Sequence, residues 1–125
     1  MILDDSLFVR ELIKPVVEAY GLYLVGETDN CSEASQLIAT YQPHLAIVDL
    51  VLPNKNGLDF ISETIQNYPR INIVACSTLK GEEIKRKAYF SGAKFFLEKP
   101  FTKETIGEAI RASISNMIIK GEKSG

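Results

Sequence analysis

Five short apolar runs, each followed by a segment with apolar residues at helical spacing, constrain this chain more than any other feature. The runs are Ile2-Leu3, Leu22 to Val25, Leu45 to Val48, Ile71 to Cys76 and Phe95 to Leu97. After the first, Val9, Leu12, Ile13, Val16, Val17 and Tyr20 follow the i, i+3, i+4, i+7 pattern of one helix face, and the stripe stops at Gly21. Ala34, Leu37, Ile38 and Tyr41 make a second stripe ahead of Pro43, and Leu58, Ile61 and Ile65 a third ahead of Pro69. A polar helix from Glu82 to Phe90 closes at Gly92, and Ile106, Ala109, Ile110, Ile114, Met117 and Ile118 carry the last helix. Strands alternating with helices predict an α/β fold, a parallel sheet with helices on both faces. Right-handed crossovers then leave few topologies.

A chain of 125 residues suits one domain, expected over 1–120, with a small polar tail at 121–125 expected to fray. At that length the core suffices for folding without metal or disulfide. Cys31 and Cys76 offer neither a disulfide framework nor metal-site spacing, and Cys76, inside an apolar run, reads as a small buried hydrophobe. A net charge of −2 with no long run of one sign argues against a dedicated nucleic-acid or membrane-surface binder. No apolar stretch approaches the roughly 18 residues of a membrane span. The N-terminus lacks the basic and apolar regions of a signal peptide, so a cytoplasmic setting is expected.

In such sheets a ligand binds beyond the carboxyl ends of the strands. Asp4 and Asp5 close the first run, Asp49 the third, Ser77 and Thr78 the fourth, and Lys99 follows the fifth; the second contributes nothing comparable. Each has an ordinary explanation. The two acids complement a helix N-terminus with Ser6 as its N-cap, the hydroxyls cap the next helix, and Lys99-Pro100 ends a strand. Asp49 fits least well, because apolar residues flank it on both sides and unpaired burial of a carboxylate costs several kcal/mol. Three carboxylates and one lysine at one sheet edge leave a formal charge of about −2, which a divalent cation would cancel. Oxygen-only ligands at a shallow, wet edge suit Mg²⁺, with Mn²⁺ as the close substitute.

The pieces "DDS", "AIVDLVLPNKNG", "IVACST" and "SGAKFFLEKPF", in this order and at these separations, resemble the CheY-like response-regulator receiver domain over essentially the whole chain. The resemblance implies a doubly wound, flavodoxin-like (βα)5 fold with a five-stranded parallel sheet of order 2-1-3-4-5. It implies a two-component or phosphorelay role in which Asp49 accepts a phosphoryl group from a histidine kinase or a histidine phosphotransfer protein. By the same resemblance, Asp5, Asp49 and the Val51 backbone carbonyl ligate Mg²⁺, while Asp4 acts through bound water. Lys99 holds the phosphoryl charge, and the Lys99-Pro100 peptide is cis. Ser77, with Thr78 as its neighbour and competitor, is the switch hydroxyl, and Phe96 is the aromatic that turns into the vacated space; Phe95 is read as core. Such a chain is a signalling phosphoacceptor rather than an enzyme.

Signalling would leave through the fourth helix, fifth strand and fifth helix, toward a downstream protein, an output domain or a second copy. Lys85-Arg86-Lys87 lends that surface positive charge, although a solvated helix face explains it equally. Val51 and Leu79, two residues after Asp49 and Ser77, are apolar, so slow self-dephosphorylation is expected. Only Met1 to Leu3 precede the acids, a first strand shorter than the family's usual one, so either the true N-terminus is missing or the chain manages with a stub. Two other readings are a receiver-like interaction module that is never phosphorylated and a haloacid-dehalogenase-like phosphatase. The latter wants a second acid two residues after the nucleophile, where this chain has Val51.

Overall fold

A parallel strand covered on both faces must be apolar along its length, and the two longest strands of this protein sit where that demand is greatest. A computed structural model describes the backbone of residues 1–124 and the side chains of residues 1–115. Its elements are β1 (Ile2–Leu3), α1 (Leu7–Ala19), β2 (Glu27–Thr28), α2 (Cys31–Tyr41), β3 (Leu45–Asp49), α3 (Gly57–Asn67), β4 (Asn72–Ser77), α4 (Glu82–Ser91), β5 (Phe95–Glu98) and α5 (Lys103–Ser124). The sheet runs β2-β1-β3-β4-β5 with every pair parallel, as the resemblance implied. Met117, Ile118 and the tail at 121–125 have side chains outside the described residues.

Successive strand residues point to opposite faces, and each face feeds its own core. Ala46, Val48, Ile73, Ala75 and Phe96 pack with Ala34, Ile38, Phe60, Ile61 and Ala88 of α2, α3 and α4. Ile47, Val74, Cys76 and Leu97 pack with Ile13, Val16 and Val17 of α1 and Ile106 and Ile110 of α5. The helices therefore wrap both faces of one sheet.

The second strand departs from expectation. Leu22 to Val25 forms no ladder, and pairing starts only at Ile2↔Glu27 and Leu3↔Thr28. The Leu22 amide instead returns to the Val17 carbonyl at the end of α1 (3.2 Å), and the register puts residues 22–25 beyond the first residue of β1. Apolar character alone predicted a strand there, but a strand is defined by its ladder, and the described ladder begins at Glu27.

The strand exits are firmly tied. Ser6, Asn30 and Asn56 cap α1, α2 and α3 through side-chain oxygens that accept from Val9, Glu33 and Leu58 amides. Gly57 sits against the exit of β3 so closely that a β-carbon there would collide with Leu50 Cα and with the Asp49 carbonyl. Its amide donates to the Leu50 carbonyl at 2.9 Å. Because all strands are parallel, these exits lie along one edge of the sheet.

Candidate functional site

Asp49 is the last residue of β3 and is only 4 % exposed. Its Oδ1 accepts from the Val51 amide at 3.0 Å and its Oδ2 from Lys99 Nζ at 3.1 Å. Asp4, directly after β1, is buried as deeply: its Oδ1 accepts from the Ser6 amide (2.9 Å) and its Oδ2 pairs with the same Lys99 Nζ (2.7 Å). Asp5 is exposed, yet its carboxylate completes a cluster in which oxygens of Asp4, Asp5 and Asp49 all lie within 4.8 Å of one another. One ammonium thus serves two buried acids, and a third acid faces outward beside them.

The electrostatics follow from that count. Burial pushes the Asp49 carboxyl above its ordinary range, and the Asp4 charge adds to the push, against the Val51 amide and Lys99. Burial alone would lower the Lys99 ammonium, but the hydrogen bond to Asp4 and the charges of the acids around it outweigh that, and it is held above its ordinary value. Lysine neutralises one carboxylate of three. The residues fit a divalent cation in donor chemistry, since the acids supply oxygen only, and in charge, since one dication would balance the site.

The other sequence candidates separate clearly. Ser77 closes β4 fully buried, and its Oγ accepts from the Leu79 amide at 3.0 Å. Thr78 lies past the strand on an exposed turn. Two apolar side chains stand in the loops after Asp49 and Ser77, Val51 at 52 % and Leu79 at 49 % exposure. Phe96 is buried in the core under α2, α3 and α4, while Phe95 on the opposite face is only partly buried. The Lys99-Pro100 peptide is cis, and the Lys99 amide donates to the Ser77 carbonyl (2.8 Å), which joins the ends of β4 and β5. Of the basic run on α4, Lys85 meets Glu98 at 3.6 Å and Lys87 meets Glu83 at 3.3 Å, so part of its charge is locally answered.

Contrary to the sequence reading, the second strand does contribute. Glu27 on β2 holds Arg10 Nε (2.9 Å) and Lys14 Nζ (2.5 Å), and Arg10 Nη1 reaches the Asp4 carbonyl at 2.6 Å. Lys14 and the nearby Arg10 draw the Glu27 carboxyl below its usual range, with burial opposing. The available signal was an acid in the second strand with cations at i and i+4 on the preceding helix.

Comparison with known proteins agrees with this fold. The family described as response regulator receiver domain matches residues 1–111. The chemotaxis protein CheY of Thermotoga maritima is 31% identical over 110 residues, 88% of this chain and 92% of that protein. CheY of Halobacterium salinarum is also 31% identical, over 88% of this chain and 91% of its own. Among solved structures, NtrX from Brucella abortus superposes with a TM-score of 0.89 at 23% identity, covering 98% of this chain and 28% of that longer one. A LuxR-family two-component response regulator from Aurantimonas sp. SI85-9A1 gives 0.85 at 26% identity, covering 93% and 84%.

Proposed function

The chain belongs to the response regulator receiver domain family, and from that premise we propose that Asp49 is a phosphoacceptor charged by a partner phosphohistidine. The observation that carries this reading is the pairing of a buried Asp49 with Lys99 while exposed Asp5 stands within the same carboxylate cluster. One oxygen of Asp49 forms the O–P bond as the N–P bond to the donor imidazole breaks, and the released imidazole nitrogen keeps the electron pair and takes up a proton. Lys99 is already at the acceptor carboxylate and meets the incoming charge without reorganising. Asp5, Asp49 and the Val51 carbonyl would hold Mg²⁺ or Mn²⁺, with Asp4 acting through water. The bound ion would supply charge neutralisation on the transferring phosphoryl oxygens.

Ser77 is the switch hydroxyl in this reading, because it is buried at the strand end beside the acids whereas Thr78 faces solvent. Its movement would carry the Leu79 amide that hangs on it, and Phe96 would respond from the core beneath. The altered surface of α4, β5 and α5 would then signal to a downstream protein, an output domain or a second copy. The donor would be a histidine kinase or a histidine phosphotransfer protein. Self-catalysis would be confined to the protein's own charging and slow discharge.

The test is incubation with acetyl phosphate and Mg²⁺ followed by intact mass and a phosphate-affinity gel, for wild type and Asp49→Asn. A gain of one phosphoryl in wild type alone is expected. No Asp49-dependent gain, with small donor or kinase, would leave the silent interaction module as the better reading. Val51 occupies the place where a haloacid-dehalogenase-like phosphatase needs its second acid, which disfavours that chemistry.

A further inference from the structure

The peptide linking Asp4 to Asp5 is the hinge between the buried acid and the exposed one, and a side chain from α1 holds it. Arg10 Nη1 donates to the Asp4 carbonyl at 2.6 Å, while its Nε donates to Glu27 Oε1 at 2.9 Å. The arginine side chain is 15 % exposed, Glu27 is steadied in turn by Lys14, and the Arg10 amide is fixed to the Ser6 carbonyl at 3.1 Å. On the other side of the hinge, the Asp4 amide donates to the Thr28 carbonyl (3.0 Å). A peptide unit is planar, so restraining its carbonyl oxygen restrains its N–H and the Asp5 Cα, which lies in the same plane. Among the described residues none hydrogen-bonds or ion-pairs with the Asp5 carboxylate, so its aim is inherited from the backbone.

We infer that Arg10, oriented by Glu27, is a positioning residue that aims Asp5 at the divalent-ion site without touching the ion or the phosphoryl group. The ladder pairs Ile2 and Leu3 with β2, and the guanidinium fork adds α1 to that anchorage, tying α1, β2 and the hinge together. Outer groups that orient metal ligands typically change affinity about 10–100-fold when removed. This inference rests on the reading of the site as a divalent-ion and phosphoryl centre.

The experiment titrates the full chain with Mg²⁺ by calorimetry for wild type, Arg10→Gln and Glu27→Ala, with urea unfolding in metal-free buffer and the Asp5 amide followed by NMR. Arg10→Gln is expected to weaken Mg²⁺ binding by about ten-fold and to shift the Asp5 amide before any Mg²⁺ is added. Glu27→Ala, which leaves the arginine in place but unsteered, should move both in the same direction by less. A purely structural arginine would lower the urea midpoint and leave the Mg²⁺ affinity and the Asp5 amide of the folded protein unchanged. That result in either folded variant overturns the inference, and Glu27→Ala keeps the test decisive should Arg10→Gln not fold. Wild type that fails to bind Mg²⁺ would overturn the reading of the site, and this inference with it.

Discussion

Lys99 divides one positive charge between Asp4 at 2.7 Å and Asp49 at 3.1 Å, and the burial of Asp49 together with that shortage sets the site's behaviour with pH. With its carboxyl pushed upward by burial and by Asp4, Asp49 binds its proton more tightly in the folded chain than in the unfolded one. The folded state then holds more protons across the window just above the ordinary value of 3.8, so stability falls as pH rises through it. Asp49→Asn removes that dependence. In metal-free buffer the variant is expected to melt above wild type at pH 7, with the gap closing below the ordinary carboxylate range; thermal unfolding at several pH values reads it. In the proposed reading Val51 would govern a second property at this scale. Its apolar, half-exposed side chain cannot orient a water, so Val51→Asn should shorten the phosphoryl lifetime several-fold, followed as loss of the phosphorylated mass after donor removal. Asp49 itself was legible in the sequence because an acid among apolar residues has few ordinary explanations. Glu27 and Arg10 were not, since a lone acid and a lone arginine on polar faces look like any solvated pair until the fold joins them and sets Arg10 on the Asp4 carbonyl.

The joint between β3 and α3 is where an element is most tightly pinned to the site. Gly57 starts α3 in contact with the backbone of Asp49 and Leu50, and backbone cannot swing aside as a side-chain tip can. Gly57→Ala is therefore expected to lower stability by about 1–3 kcal/mol and to reduce charging of Asp49, measured by urea unfolding and by acetyl phosphate labelling. Gly107→Ala in α5 meets only the end of the Tyr20 side chain, and gains from ending a glycine's freedom inside a helix. It should be neutral or stabilising by up to about 1 kcal/mol. Most elements could be read from hydrophobic period and punctuation: α2 stops at Gln42 before Pro43, and α4 stops at Gly92, which takes a left-handed φ of 119°. β2 could not. Leu22 to Val25 has strand composition, but whether a segment joins a ladder depends on what lies beside it, and that is a property of the register.

At the scale of the molecule, the sheet is a single wall shared by two cores, and the site stands on its edge. A dication that bridges Asp5 and Asp49 would draw the exits of β1 and β3 together, so its binding should stabilise the whole chain. At about 100 times the dissociation constant the gain is about 2.7 kcal/mol, expected in wild type and absent in Asp5→Asn, with urea unfolding at graded Mg²⁺ as the measure. Among the described residues no helix is long and apolar enough to cross a membrane. The strand order was legible only through the resemblance, because alternation of strands and helices permits other windings, and apolar runs carry no label for their neighbours. The stretch from Leu22 to Val25 has one more consequence. Apolar and with Tyr23 87 % exposed, it lies outside the ladder and leads directly into the edge strand β2. Intermolecular strand pairing has its readiest template there, so in concentrated solution this outer rim, at the far end of the sheet from the acids, is where filament or gel formation would begin.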